Sequence, residues 1–179
     1  QGAWPTRPVR LVVPFGLGGS ADVAARLMAE PLSAALGQPV VVENRPGAGA
    51  VIGTEAVAKS TPDGHTLLVM SNTHTANETL IPQRPYALLR DLAPVGALNI
   101  AHHVLAVHPS LGVRTLPELI AKARAEPGRL DYASSGPGTP YHFAGAVFCH
   151  KAGIDVQHVP FRQASDARNA VVAGQVHFM

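Results

Sequence analysis

The 179-residue chain is 46% hydrophobic, 15% charged and 5% aromatic, with 17 glycines, 16 prolines and one cysteine. Fourteen Lys and Arg against twelve Asp and Glu leave a net charge of +2; no basic stripe interleaved with aromatics is present, which argues against a nucleic-acid surface. The apolar content argues against disorder, no apolar run reaches the ~20 residues of a membrane span, and a lone Cys149 permits no internal disulfide.

Strands alternate with helices, the order of an α/β protein with helical crossovers. Arg10–Pro14 reads as a buried strand, and Gly16-Leu-Gly-Gly19 leads into a helix over Ser20–Leu36 closed by Gly37. Pro31 is expected to kink that helix. A second strand, Pro39–Glu43, precedes the loop Asn44–Gly49 and a short helix, Val51–Lys59. The turn Pro62-Asp-Gly64 precedes a third strand, His65–Met70, which runs into a polar loop at Ser71–Thr75. Pro82–Pro94 reads as irregular, and Val95–Val107 as an extended apolar segment that crosses between two lobes.

The second half repeats the pattern, with a helix at Pro117–Ala125, a strand at Leu130–Ala133 and a Gly-rich loop at Ser134–Gly138. A helix at Pro140–Ala152 closed by Gly153, a strand at Val156–Pro160 and a helix at Ser165–Ala173 follow. Gln175–Met179 reads as the start of a further strand. A chain that stops in an apolar β-like pattern is expected to be part of a longer protein. Such a chain is also expected to expose apolar surface around Val171, Val172, Val176 and Phe178 and to self-associate. The opening residues from Gln1 read as a mature N-terminus left by processing.

Two Gly-rich loops, each joining a strand to a helix, are the central feature. One runs Val13–Asp22 and the other Tyr132–His142. Glycines allow close backbone approach, and the helix that follows offers unpaired N–H groups and a positive dipole end, which suits a carboxylate or phosphate. Ser20 and Thr139 are placed to cap their helices, with Pro140 at the first helical position.

Gly16-Leu-Gly-Gly-Ser-Ala21 also fits G-x-G-x-x-G/A after a strand, with an acid, Glu43, about twenty residues on. A dinucleotide-binding oxidoreductase domain is therefore an alternative. No P-loop Gly-Lys-Ser/Thr follows, the nine histidines show no metal-ligand spacing, and no nucleophile elbow or paired carboxylates point to catalysis. No cofactor, metal or enzymatic activity is expected. Cys149, in an apolar helical run, reads as a small buried hydrophobe.

Trp4–Phe15, Gly18-Gly-Ser-Ala-Asp22 and Gly37–Gly49 resemble the Bug proteins, extracytoplasmic solute receptors of tripartite tricarboxylate transport systems. The likeness continues through Gly53–Lys59, Pro62–Gly64, Leu130–Ser134, Gly138-Thr139 and Val159-Pro160. Gly16-Leu17 departs from the family's Pro-rich stretch, and Pro31 falls in a helix the family usually leaves unbroken.

The resemblance implies a type II periplasmic-binding-protein-like α/β fold of two lobes closing on a small carboxylate: residues 1–100 as the first lobe without its return segment, and residues 101–179 as an incomplete second lobe. It implies a periplasmic location after signal-peptide removal and membrane transporter subunits as partners. It also places ligand contacts at Phe15, Gly16, Gly18, Gly19, Ser20 and Asp22, then at Ser71, Asn72 and Thr73. The second lobe would add Ser134, Ser135, Gly136, Gly138, Thr139 and His142, with Phe161 and Arg162 at the rim. A fragment that binds nothing remains the other alternative.

Overall fold

The computed structural model describes residues 4–100 and 102–179. Gln1–Ala3, where the mature N-terminus was read, and Ala101, within the crossing segment, lie outside the described residues. The chain divides into two compact units, Gln1–Ala101 and His102–Met179.

The first unit is built on a three-stranded parallel sheet of order β2-β1-β3, with β1 at Val9–Val13, β2 at Val40–Asn44 and β3 at Thr66–Leu68. Val9 sits opposite Val40, and Arg10 opposite Thr66. The central strand is buried except at half-buried Arg10, as expected where helices cover both faces of a parallel sheet. Val9, Leu11, Val13, Phe15, Ala25, Val40, Ala50 and Val69 form the core, with Ala21, Leu32 and Leu36 of helix α1 packed on it.

Helix α1 spans Ser20–Leu36 and is not interrupted by Pro31. Pro31 is exposed, so the backbone bond it forgoes opens to water rather than to the core. Gly37 ends the helix in the left-handed conformation at φ +67° and gives its N–H to the carbonyl of Ser33. Helix α2, Val51–Ala58, approaches the end of β1 closely. A Cβ on Gly53 would lie 2.7 Å from both the carbonyl oxygen of Arg45 and the Cβ of Pro14.

The expected polar loop at Ser71–Thr75 is instead the start of helix α3, Asn72–Leu80. Its hydrophobic signal is weak because its buried side chains are polar: Thr73, His74 and Asn77. A one-turn helix α4, Leu88–Asp91, interrupts the irregular middle. Residues 93–100 and 102–106 are exposed and carry no regular structure, with Val95, Ile100 and Val104 each at least 85% exposed.

The second unit holds a parallel pair, β4 at Asp131–Ser134 and β5 at Gln157–Pro160, with Tyr132 opposite His158. Helices α5 (Leu116–Ala125), α6 (Pro140–Ala152) and α7 (Ala164–Val172) complete it. One core gathers Leu111, Leu119, Ala123, Leu130, Tyr132 and Phe178, and another gathers Ala133, Ala167, Ala170, Val171 and Val176.

The strand expected at Gln175–Met179 is reduced to isolated bridges, Phe178 pairing with both Val107 and Tyr132. That pairing corrects the expected apolar exposure. Val171, Val176 and Phe178 are buried, and of the four only Val172 faces solvent.

The tight seat of Gly53 makes it a stability test. Gly53→Ala should destabilise the first unit by about 1–3 kcal/mol through overpacking. Urea unfolding would show this as a lower midpoint with an unchanged slope.

Candidate functional site

In the first unit the loop after β1 is tied down by one carboxylate. Asp22, in the first turn of α1, is 3% exposed. Its Oδ2 accepts the N–H of Gly18 at 2.9 Å. Its Oδ1 accepts Arg26 Nε at 3.0 Å and Asn44 Nδ2 at 2.9 Å. Asn44 Nδ2 also donates to the Phe15 carbonyl at 3.1 Å, and Arg26 donates to Asn44 Oδ1 at 2.8 Å. Both carboxylate oxygens thus serve the protein itself. Asp22 braces the loop, Arg26 balances its charge, and the Asn44 amide donates a further hydrogen bond to it.

Ser20 does not cap α1. The N-cap is Gly19, extended at φ −75°, and no side chain caps the helix there. Gly18 turns the chain at φ +71°, a conformation that suits glycine. Phe15 is buried and meets the His74 ring edge to face at 5.8 Å.

Ser71 is the N-cap of α3: its Oγ accepts the N–H of Thr73 at 3.3 Å, while its own N–H meets His74 Nδ1 at 3.1 Å. This is a capping box with histidine in the place usually held by Glu or Gln. Burial lowers the pKa of His74, which favours the neutral ring that accepts at Nδ1. Thr73 Oγ1 and His74 Nε2 are buried without a hydrogen-bond partner within the structure. Asn72 is exposed.

In the second unit the loop after β4 is tied from both ends. Ser134 Oγ, fully buried, accepts the N–H of Gly136 at 3.0 Å and lies 2.6 Å from His158 Nε2. Thr139 occupies the N-cap position of α6, but its hydroxyl donates to the Gly136 carbonyl at 2.7 Å instead of capping. Gly138, at φ +76°, gives its N–H to His142 Nδ1 at 3.2 Å.

His142 and His158 lie 4.3 Å apart between ring centroids, and His158 stacks on Tyr132 at 4.9 Å. Tyr132 in turn stacks on Phe178 at 6.0 Å, so four rings form a column that ends beside the loop. Burial lowers the pKa of His142; burial and then the neighbouring His142 lower that of His158. Ser135 is half-buried, Phe161 packs on the Ala133 core and gives its N–H to the Ser134 carbonyl at 2.9 Å, and Arg162 is exposed.

The structure therefore gathers Phe15, Gly16, Gly18, Gly19, Ser20 and Asp22 on one loop and helix start. Ser71 and Thr73 stand at a neighbouring helix start, linked to that loop through the His74–Phe15 contact. Ser134, Ser135, Gly136, Gly138, Thr139 and His142 form the corresponding arrangement in the second unit. Sequence reasoning missed Arg26, Asn44, His74 and His158. The Asp22–Arg26 spacing of four on a helix was the one available signal for any of them.

Glu43, which the dinucleotide alternative needs for a ribose, is engaged by Arg10 at 2.6 Å and by Arg45 at 2.5 Å, and both lower its pKa. Cys149 packs against the Leu111 core, and burial pushes its thiol pKa up, as for an inert apolar residue. Among the described residues no three His, Cys, Asp or Glu side chains are placed to hold a metal, and no helix is long and apolar enough to cross a membrane.

The family model for the tripartite tricarboxylate transporter family receptor, TctC, matches residues 24–179. The chain belongs to the TctC family. Among relatives, the protein in the tcbD–tcbE intergenic region of Pseudomonas sp. is 40% identical over 99% of this chain and 53% of its own length. BugT of Bordetella pertussis is 40% identical over 97% of this chain and 54% of its own.

Two solved structures match over 98% of the chain. An R. palustris protein with adipate superposes with a TM-score of 0.89 at 35% identity, covering 59% of that chain. MatC from Rhodopseudomonas palustris with bound malate superposes at 0.90 and 32% identity, covering 60%. The periplasmic binding protein BugD superposes at 0.85 and 30% identity, covering 59% of its chain, so the fold is that of the periplasmic binding proteins. The chain spans about half the length of the curated relatives it matches.

The brace on the first loop is open to test. Asp22→Ala should destabilise the first unit by about 1–3 kcal/mol, since it removes the buried acceptor shared by the Gly18 N–H, Arg26 and Asn44. Asp22→Asn, which keeps an acceptor, should lose less. Hydrogen exchange at the Gly18 amide should accelerate in the alanine variant and stay slower in the asparagine one.

Proposed function

We propose that the chain is the ligand-capturing portion of a periplasmic solute receptor that takes up a small carboxylate, delivers it to membrane subunits of a tripartite tricarboxylate transporter and does not turn it over. The observation that carries this reading is the match, over nearly the whole chain, to R. palustris structures solved with adipate and with malate, together with the chain's own membership of the TctC family. Both are dicarboxylates. The two Gly-rich loops suit such ligands: each stands at the N-terminus of a helix longer than twelve residues, where the dipole favours negative charge.

In this reading, Phe15, Gly16, Gly18, Gly19 and Ser20 shape the first contact region, joined by Ser71, Asn72 and Thr73. Ser134, Ser135, Gly136, Gly138 and Thr139 shape the second, with Phe161 and Arg162 at its margin. Asp22 and His142 act on the loops from behind. A receptor of this kind needs only to bind and release, and the buried Ser134 hydroxyl serves its own loop.

Calorimetric titration with adipate, malate and NAD tests the ligand class. Adipate or malate should bind and NAD should not; the reverse result would overturn the proposal. Gly19→Val adds a branched side chain at the start of α1, at a φ that valine can adopt. It should reduce carboxylate affinity at least about tenfold, the equivalent of about 1.4 kcal/mol.

Self-association belongs to the same proposal, with its apolar source moved from the C-terminal residues to the exposed Val95, Ile100 and Val104. Light scattering should show the 179-residue chain associating as concentration rises. Val95→Ser, Ile100→Ser and Val104→Ser together should restore a monomer. A wild-type chain that stays monomeric throughout would refute the idea.

A further inference from the structure

The two loops are closed by the same device with different chemistry. In each, a glycine at positive φ donates its N–H to the side chain four residues on: Gly18 to Asp22 Oδ2, and Gly138 to His142 Nδ1. A carboxylate accepts in its ionised form and remains an acceptor across the neutral range. An imidazole Nδ1 accepts only while it carries no proton. The second loop therefore holds a titratable latch where the first holds a fixed one.

We propose that His142 is a positioning residue for the second loop, its neutral Nδ1 accepting the Gly138 N–H, so that acidification releases the Gly136–Gly138 segment and weakens carboxylate capture. The proposal rests on the receptor reading and names its regulation. It differs in sign from a direct ligand contact: an imidazolium facing a carboxylate would strengthen binding in acid.

The surroundings favour the neutral latch. His158, projecting from β5, faces His142 at 4.3 Å, and charging both rings would set two cations against each other. Beyond His158 on β4 lie Tyr132, which stacks on it, and the Ser134 hydroxyl, which can donate to its Nε2 at 2.6 Å. On α6 itself Tyr141 adjoins His142 in sequence, and two turns on Cys149 packs into the core, where burial raises its thiol pKa. Burial lowers the pKa of His142, and burial followed by the neighbouring His142 lowers that of His158.

With Nδ1 accepting, the hydrogen of neutral His142 sits on Nε2. Protonation places a second hydrogen on Nδ1, opposite the Gly138 N–H, and two donors then face each other. The sign follows directly. Both imidazoles titrate below the ordinary histidine value, so the latch is complete above that value and is lost as pH falls through the lowered one.

Nuclear magnetic resonance on the ligand-free chain tests the latch without reference to any ligand. Imidazole nitrogen shifts should show Nδ1 unprotonated at neutral pH, with a midpoint below about 6.5. The Gly138 amide resonance should follow the same midpoint in wild type and lose that titration in His142→Asn, whose amide oxygen still accepts. A proton on Nδ1 at neutral pH, or a Gly138 amide indifferent to the imidazole, would overturn the proposal.

The second arm measures adipate and malate affinity between about pH 7.5 and about pH 5 in both proteins, the ratio cancelling the acids' own protonation. Wild-type affinity should fall relative to His142→Asn by up to about tenfold per pH unit below the midpoint. A relative rise would overturn the latch and make His142 a cationic ligand contact. If neither acid binds at any pH, the receptor reading fails for those ligands, while the resonance arm still decides the latch.

Discussion

A single kind of hydrogen bond, from a glycine N–H to a side chain in the first turn of the next helix, organises both candidate contact regions. Each loop leaves its strand and turns through a glycine at positive φ, Gly18 in one and Gly138 in the other. A backbone donor left unpaired in a half-buried loop is costly, and a nearby acceptor removes the cost while joining loop to helix. Asp22 does this for Gly18 and His142 for Gly138. With the loops fixed in this way, neither Gly19 nor Thr139 supplies a side-chain cap, and the Thr139 hydroxyl is used to hold Gly136 instead.

The two acceptors leave the helix ends electrically different. Asp22 places a negative charge at the positive end of the α1 dipole, while half-exposed Arg26 pairs with that carboxylate and the Asn44 amide donates to it. Helix α6 has no acidic residue in its first turn, and its acceptor is a neutral ring. Its N-terminal potential is therefore not cancelled from within. The first region is braced by a carboxylate, with the Ser71 and Thr73 helix start beside it, and the second by an imidazole.

The parts of this fold that can be read from sequence are those where burial and periodicity agree. Strand β1 is legible because a central parallel strand is apolar on both faces, and α1 and α6 because glycines stop them at Gly37 and Gly153. Helix α3 is not legible, because its inward residues are Thr73, His74 and Asn77 and its capping box ends in histidine. The two loops could be recognised as anion-suited, but spacing alone does not show which way a side chain turns. Asp22 fits a ligand contact and a loop brace equally well by position, and only its three protein donors distinguish the two. The burial of Phe178 is a long-range event, a bridge to Val107 and Tyr132, and no local pattern encodes it.

The neutrality of His142 traces back to a residue with no side chain. Gly145 lies one turn along α6, and a Cβ there would fall 2.3 Å from Tyr132 Cε2. The helix can approach β4 only because that atom is missing, and this approach sets His142 over His158, which rests on Tyr132 and, through it, on Phe178. A bulkier residue at 145 would displace the Tyr132 ring or push α6 outward. Either change would separate the two imidazoles, lessen the burial that keeps them uncharged and weaken the acceptor that Gly138 requires. Packing at Gly145 is in this way coupled, through contacts among four rings, to the protonation state of the loop's latch.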